Sequence, residues 1–489
     1  MLVKQSNDIE MDNNLIGSLL SASIKTLDTS VASALEDPHA KTHLDLTIRV
    51  LRMLSAHFSH HVDSIKDFEK DVKTTFPEMN IDGAGYESLE SSLLKNNQLL
   101  EIIADQIPSL IDHGKDNHAN AKLNDLIKCK EHYLASLDPD ILHGSAMVFR
   151  GGTIDRSNNK AERPVVDTAR LESYLKNRFE NYPDLSVTRC QMIVGGFSKT
   201  TVMFDVCWTK NAEPERMFMR KDLPVLFMDK TVHNEYPLLE SLYKAGLSVP
   251  EPYWLESDAG IFDGAFYVMK AIPGSSDVSS WSEHAPSVSE QLAKILATLH
   301  SYDAGQVLDS FAIENAGIAM EKEIEFWRKL YARRRSKRHP LIELVLAWLD
   351  RNIPEELYSR PARIVHGDVG FHNLMVDNGK VTALLDWEFA HAGDPSEDLL
   401  YIKPFVEQFG LWDEFYKSYQ AAGGISASTE CENFFKVWSY ARNAIGTIDA
   451  RYLFKHHLND ELKLAVAGLV FGPYLELDAS KLVLSLLKA

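Results

Sequence analysis

Apolar positions in the first part of the chain recur at helical spacing, while Gly and Pro are scarce. Leu44, Ile48, Leu51 and Phe58 trace one stripe, with Asp37-Pro38 as its start. Leu89, Leu93, Leu100, Ile103, Ile107 and Leu110 trace a second, which Pro108 is placed to kink. Leu123, Leu126, Ile127, Leu134 and Leu137 trace a third. With an opening helix over 14–35, the pattern predicts an all-α bundle of four helices over residues 1–140. These stripes predict core packing and no chemistry. His57, His60 and His61 lack acidic or Cys neighbours, so they read as a solvated helix face.

The period then breaks. Residues 141–164 hold Gly144, Gly151, Gly152 and a polar run from Asp155 to Lys160, the composition of a linker. After Val165 a helix (171–179) is followed by runs rich in β-branched residues, which predict strands at 188–194, 200–208 and 217–220. A helix over 232–245 and strands at 253–256 and 266–270 complete that stretch. From Val288 helices dominate, interrupted by short strands at 363–365, 374–376 and 383–386. The predicted class is α+β: a small β-rich lobe (165–270) and a larger helical lobe (271–489), preceded by the bundle. That plan places a ligand in the cleft between the lobes.

Composition narrows the function classes. The 489 residues are 45% hydrophobic and 25% charged, which excludes a disordered or disulfide-stapled chain. Lys and Arg number 51 against 70 Asp and Glu, a net charge of −19, which argues against binding nucleic acid or an anionic membrane. The four cysteines, Cys129, Cys190, Cys207 and Cys431, form no CxxC and suit a reducing compartment. Asp8, Glu10 and Asp12 stand where a secretion signal needs apolar residues. The most apolar stretch, 464–477, is too short to span a bilayer and carries Pro473 and Glu476. A cytoplasmic location is expected.

The strongest chemical signal is His366-Gly-Asp368, with Asn373 five residues after Asp368, followed by Leu385-Asp386-Trp-Glu388. Phosphoryl transfer needs a carboxylate to orient and deprotonate a hydroxyl, and hard oxygen donors to hold Mg²⁺. D-x4-N followed by a strand-ending Asp has that logic.

In these motifs the chain resembles the aminoglycoside phosphotransferase and choline kinase group of protein-kinase-like enzymes. It is similar in particular to bacterial phosphotransferase-family proteins related to the kinase-like domains fused to some acyl-CoA dehydrogenases. Gly393-Asp-Pro395 with Asp398-Leu399 also matches, and the resemblance runs from about Val165 to the C-terminus. It implies ATP and Mg²⁺ as cofactors, Asp368 as catalytic base, and Asn373 and Asp386 as metal ligands. It further implies that the loop Val194-Gly195-Gly196-Phe-Ser198 covers phosphates, where glycine lets backbone N–H groups approach.

Arg220 takes the place of the family's strand lysine as phosphate clamp, and Glu235 is its brace. Strand alternation allows only one of Arg220 and Lys221 to face the cleft, and Arg220 is the expected one. Met269 and Ala271 lie on the strand and hinge that bind adenine through backbone groups. The Leu299-His300 pair and His366 read as structural, His372 as solvent-exposed, and Glu388 as a candidate assistant to the metal. Arg333–Arg338 reads as a solvated helix end, with an anchor for an anionic substrate such as a coenzyme A phosphate as the alternative.

The implied partner is a small molecule with a hydroxyl: a metabolite such as a hydroxyacyl-CoA, or an aminoglycoside- or choline-like compound. A choline-like cation would want an aromatic cage, for which Trp327, Trp348, Trp387 and Trp412 are available. A homodimer through the N-terminal helices is a role open to the bundle. The competing expectation is a catalytically silent nucleotide-binding scaffold acting through that bundle.

Overall fold

The computed structural model describes residues 64–75, 89–112, 117–137, 166–193, 198–459 and 462–488, with a few isolated positions before 64. Of the opening helix over 14–35 only residues 23–25 and 27 are described, and of the first stripe Leu44, Ile48 and Leu51, with Ile48 buried; Phe58, the linker 141–164, Gly195 and Gly196 lie outside the described residues. Among the described residues the strands are β1 Ser186–Ile193, β2 Lys199–Cys207, β3 Glu215–Asp222, β4 Pro252–Glu256, β5 Phe266–Lys270, β6 Arg363–Val365, β7 Leu374–Asp377, β8 Lys380–Leu384 and β9 His391–Gly393. The longer helices are α1 Leu89–Asp112, α2 Asn117–Leu137, α3 Thr168–Arg178, α4 Val232–Lys244, α5 Ala285–Leu299, α6 Ala316–Arg334, α7 Pro340–Arg351, α8 Ser396–Glu407, α9 Trp412–Ala421, α10 Thr429–Lys455 and α11 Gly472–Leu487. None of the described helices is long and apolar enough to cross a membrane.

The chain divides into two compact units. One comprises Met1–Val148, Arg328–Trp348 and Tyr440–Ala489, and the other Phe149–Trp327 and Leu349–Ser439. The first is helical among its described residues. The predicted stripes are its buried faces: Leu100, Ile103, Ile107 and Leu110 of α1, which runs through Pro108, and Leu123, Leu126, Ile127 and Leu134 of α2. Each such side chain contributes on the order of 1.5–3 kcal/mol by leaving water.

The second unit carries an antiparallel five-stranded sheet in the order β1-β2-β3-β5-β4. Alternate residues of β2, β3 and β5 (Val202 and Phe204, Met217 and Met219, Phe266 and Val268) join Leu171 and Leu175 of α3 in one core. Helix α4 starts where it does because Asp222, the last residue of β3, accepts hydrogen bonds from Val232 N (3.0 Å) and the Thr231 hydroxyl (2.5 Å). A second core gathers Leu238 and Leu242 of α4, Leu292 and Leu296 of α5, and Ile364, Leu374 and Leu384 from the short strands.

Two features differ from the pattern read along the chain. The strand expected over 383–386 ends at Leu384, because Asp386 takes a left-handed backbone (φ 66°) that no strand can continue through. Strand β9, paired with β6, was not anticipated; three residues are too few for a period to show.

Candidate functional site

Strands β7 and β8 form a hairpin whose outer register pair is Leu374 with Leu384. Asn373 immediately precedes that pair and Asp386 follows two residues after it. Leu385 N donates to Asn373 O at 2.8 Å, which closes the open end of the hairpin. The two residues, thirteen apart in the chain, are thereby neighbours. Asn373 Nδ2 donates to Asp368 O (2.8 Å) and to Asp368 Oδ2 (3.1 Å), which brings the third residue of the motif to the same place. With its amide nitrogen so engaged, Asn373 keeps its carbonyl oxygen as an acceptor.

The loop carrying Asp368 is held from beneath. His366 N (2.7 Å) and Gly367 N (2.8 Å) both donate to the buried carboxylate of Asp398, with Gly367 in the left-handed region at φ 78°. His300 Nε2 reaches the same carboxylate at 3.1 Å, and Tyr419 holds the other ring nitrogen of His300 at 2.9 Å. Burial pushes the Asp398 carboxyl up, but the His300 contact and the backbone donors outweigh it and hold it below the usual range. His366 Nε2–H donates to Leu385 O at 2.8 Å, so its Nδ1 accepts from Asp368 N at 3.2 Å. Both histidines read as structural are bracing residues.

Arg220, not Lys221, faces the site. Its Nη2 donates to Asp386 Oδ1 at 2.8 Å, while Glu235 Oε1 stands 3.7 Å from Nε and Glu388 Oε2 3.9 Å from Nη2. Lys221 points to the other side of β3, where it donates to the carbonyls of Asp222 and Asp263. Burial opposes charge on Arg220, yet Asp386 and Glu235 prevail and keep the guanidinium protonated. Arg220 Nε and Glu235 Oε2 are buried without hydrogen-bond partners among the described residues, which leaves the guanidinium a donor to offer.

Glu388 and Lys199 are more central than the sequence suggested. The Ser198 hydroxyl donates to Glu388, tying the end of the glycine-containing loop to the segment after Asp386. Lys199 Nζ is buried beside Glu388 (3.5 Å) and Asp222 (3.6 Å) and donates to Lys230 O at 2.8 Å. Burial, reinforced by Asp386, lifts the Glu388 carboxyl to about 7 despite Lys199 and Arg220. No hydrophobic period marks Lys199, and the only signal for it was its place just after the loop.

His372 was expected in solvent, but its ring packs against Phe405, and its Nε2 lies 3.9 Å from Asp368 Oδ2. Burial lowers its basicity, the Asp368 carboxylate restores it, and the net shift is upward. A Cβ on Gly370 would lie 2.3 Å from that ring, so glycine is what admits it. Met269 lies in β5 opposite Phe218, and Ala271 N donates to Arg216 O at 3.1 Å just beyond the strand. The exit from β5 then crosses β7: Ser275 exchanges both backbone hydrogen bonds with Val376, and Gly274 (φ 113°) passes so close that a Cβ would meet Val376 O at 2.5 Å.

Trp327 and Trp387 are buried in packing, against Trp438 and His366 respectively. Trp348 is buried too, and Trp412 stacks on Phe415. An aromatic cage is therefore not assembled from these four residues.

Four carboxylates (Glu235, Asp368, Asp386 and Glu388) thus share a small region with two cations, Arg220 and Lys199. Among the described residues no three His, Cys, Asp or Glu side chains cluster as a self-sufficient metal site. The donor set of Asp386 and the Asn373 carbonyl oxygen does fit Mg²⁺, which takes hard oxygens and leaves most of its sphere to water and phosphate.

A five-stranded antiparallel sheet, a braced loop presenting a carboxylate, and a paired Asn and Asp at a hairpin mouth are the features of a protein-kinase-like fold. Residues 202–434 match the model of the phosphotransferase enzyme family. Acyl-CoA dehydrogenase family member 11 of Gallus gallus is 27% identical over 265 residues, 47% of this chain and 33% of that protein. Acyl-CoA dehydrogenase family member 10 of Mus musculus is 28% identical over 178 residues, 35% of this chain and 16% of that protein. The chain spans a third or less of the length of these two relatives. Among solved structures, a Ralstonia eutropha protein assigned as an aminoglycoside phosphotransferase superposes with a TM-score of 0.50 at 22% identity. That match covers 64% of this chain and 98% of that one, and it speaks to the fold.

Proposed function

We propose that the protein transfers the γ-phosphoryl group of ATP, in the presence of Mg²⁺, to a hydroxyl of a small molecule. The observation that carries this reading is the meeting of Asp368, Asn373 and Asp386 at one hairpin mouth, with Asp386 held at 2.8 Å by Arg220. Asp368 orients the acceptor hydroxyl and takes its proton. Asn373 and Asp386 hold the metal, which when bound neutralises charge on the phosphates. Arg220, braced by Glu235, clamps the phosphates, and the loop of Gly195, Gly196 and Ser198 covers them. The chain beside Met269 and Ala271 receives the adenine through backbone groups. The strand-rich stretch 165–270 and the helical stretch from 271 serve as the two lobes.

The acceptor class we favour is a hydroxyacyl-CoA. The names of the curated relatives support an acyl thioester, and the buried tryptophans speak against a choline cage. The test is incubation of the purified chain with Mg²⁺ATP and, separately, a hydroxyacyl-CoA, an aminoglycoside and choline. ADP release and the mass of the product are followed. Phosphorylation of the thioester alone is the expected result. Turnover of another acceptor reassigns the substrate, and nucleotide binding with no turnover on any acceptor favours the silent scaffold.

A further inference from the structure

Lys199 opens β2 with only 1% of its side chain exposed, yet it carries an ammonium group. Three acceptors meet there. Nζ donates to Lys230 O at 2.8 Å and stands 3.5 Å from Glu388 Oε2 and 3.6 Å from Asp222 Oδ1. Lys199 pairs with Asp222 across β2 and β3, and Thr201 with Arg220, so strand alternation puts Lys199, Asp222 and Arg220 on one face of the sheet. Taking an ammonium out of water is costly, and an apolar side chain would meet a purely packing role without that cost.

Two of the three acceptors are fixed independently of the lysine. Lys230 O belongs to the backbone, and Asp222 is already held by Val232 N and the Thr231 hydroxyl at the start of α4. They anchor the ammonium. Glu388 is the partner that gains from it, because its Oε2 is a crossing point of the site. That oxygen also accepts from the Ser198 hydroxyl, and Arg220 Nη2 lies 3.9 Å from it while donating to Asp386 Oδ1. Glu388 follows Asp386 by two residues, so where Oε2 sits bears on Ser198, Arg220 and Asp386 together. An ammonium has three N–H donors, and three acceptors surround this one, so it has none to spare for a phosphate.

We propose that Lys199 is a positioning residue for phosphoryl transfer: anchored on Lys230 O and Asp222, it holds Glu388 so that Ser198 is tied to the segment of Asp386, and it does not touch the phosphates itself. This rests on the kinase reading of the site. A side chain that acts through a partner has little effect once that partner is gone, so replacements of Lys199 and of Glu388 are not additive.

Isothermal titration with Mg²⁺ATP tests this on the full chain, Lys199→Met, Lys199→Arg, Glu388→Gln and the double variant Lys199→Met with Glu388→Gln. Lys199→Met and Glu388→Gln should each weaken binding about tenfold, and the double variant no more than about twofold beyond Glu388→Gln. Lys199→Arg, which keeps the charge, should recover most of the loss. A further tenfold loss in the double variant would show the lysine acting on the nucleotide by itself and overturns the proposal. So does unchanged binding by Lys199→Met, or a folded Lys199→Arg that binds as poorly as Lys199→Met. Cooperative urea unfolding checks the fold. Where Lys199→Met does not fold, Glu388→Gln against the double variant decides on the same criterion. A parent chain that binds no Mg²⁺ATP refutes the kinase reading instead, and the positioning role falls with it.

Discussion

The two charged clusters of this molecule are opposites. At the hairpin mouth of the kinase-like unit, four carboxylates outnumber Arg220 and Lys199. In the helical unit, the carboxylate of Glu476 is shared between the His339 imidazole at 3.2 Å and the Lys130 ammonium at 3.8 Å. An unbalanced charge shielded from water is costly, so the first cluster suits a divalent cation, while the second already pairs its carboxylate. The difference teaches that an excess of one sign, counted after internal pairs are removed, says more about a ligand than the number of charged residues. Arg333–Arg338 contains the densest basic run in the chain, yet Arg334, Arg335 and Arg338 are each paired with a carboxylate.

The largest effect that would sharpen this contrast falls on chemistry. Asp368→Asn should retain ATP binding and lose about 10²–10⁴-fold in kcat, the range of general-base catalysis. Undiminished turnover would remove Asp368 from the reaction.

Next comes Arg220→Met, which strips the guanidinium from Asp386, Glu235 and Glu388. A loss of about 3–5 kcal/mol in urea unfolding is expected, because the buried carboxylates are left uncompensated. A change under ~1 kcal/mol would show that the carboxylates redistribute their charge without it.

Glu476 is held at about 2, against the upward pull of burial, by Lys130 and His339. Its folded value lies below its unfolded one. Its contribution is therefore present above the ordinary carboxylate range near 4.5 and is lost as pH falls toward 2. Wild-type stability should drop through that window by an amount on the order of 3 kcal/mol that Glu476→Gln does not show. Identical pH profiles would mean that Glu476 is not the charge balancing the cluster.

The smallest effect belongs to Ser198→Ala. Losing the hydrogen bond to Glu388 should lower stability by about 0.5–1.5 kcal/mol, read as a shift in Tm. An unchanged Tm would mean that this contact adds nothing to the folded state.

Much of the site could be read along the chain because its spacing is local. Asp368 and Asn373 sit on one loop, and a strand alternation of two already separated Arg220 from Lys221. Glu388 and Lys199 were harder to rank. Their importance arises from burial beside one another, 189 positions apart, and no period records that. The contact of His372 with Phe405 has the same origin, since only the fold sets that ring against it. The tryptophans show the reverse: of the aromatic residues available to a cage by type, Trp327, Trp348 and Trp387 are claimed by packing.

What the amino-acid order determined alone was whatever follows from near neighbours: helical stripes, alternating strands, and the five-residue spacing of Asp368 and Asn373. The tertiary structure alone decided which charges cancel. Coulomb energy and desolvation depend on distance and on exclusion of water, and both are set by residues remote in the chain. Asp398 beneath the loop of Asp368, Arg220 among three carboxylates, and Glu476 between His339 and Lys130 are all products of that long-range arrangement.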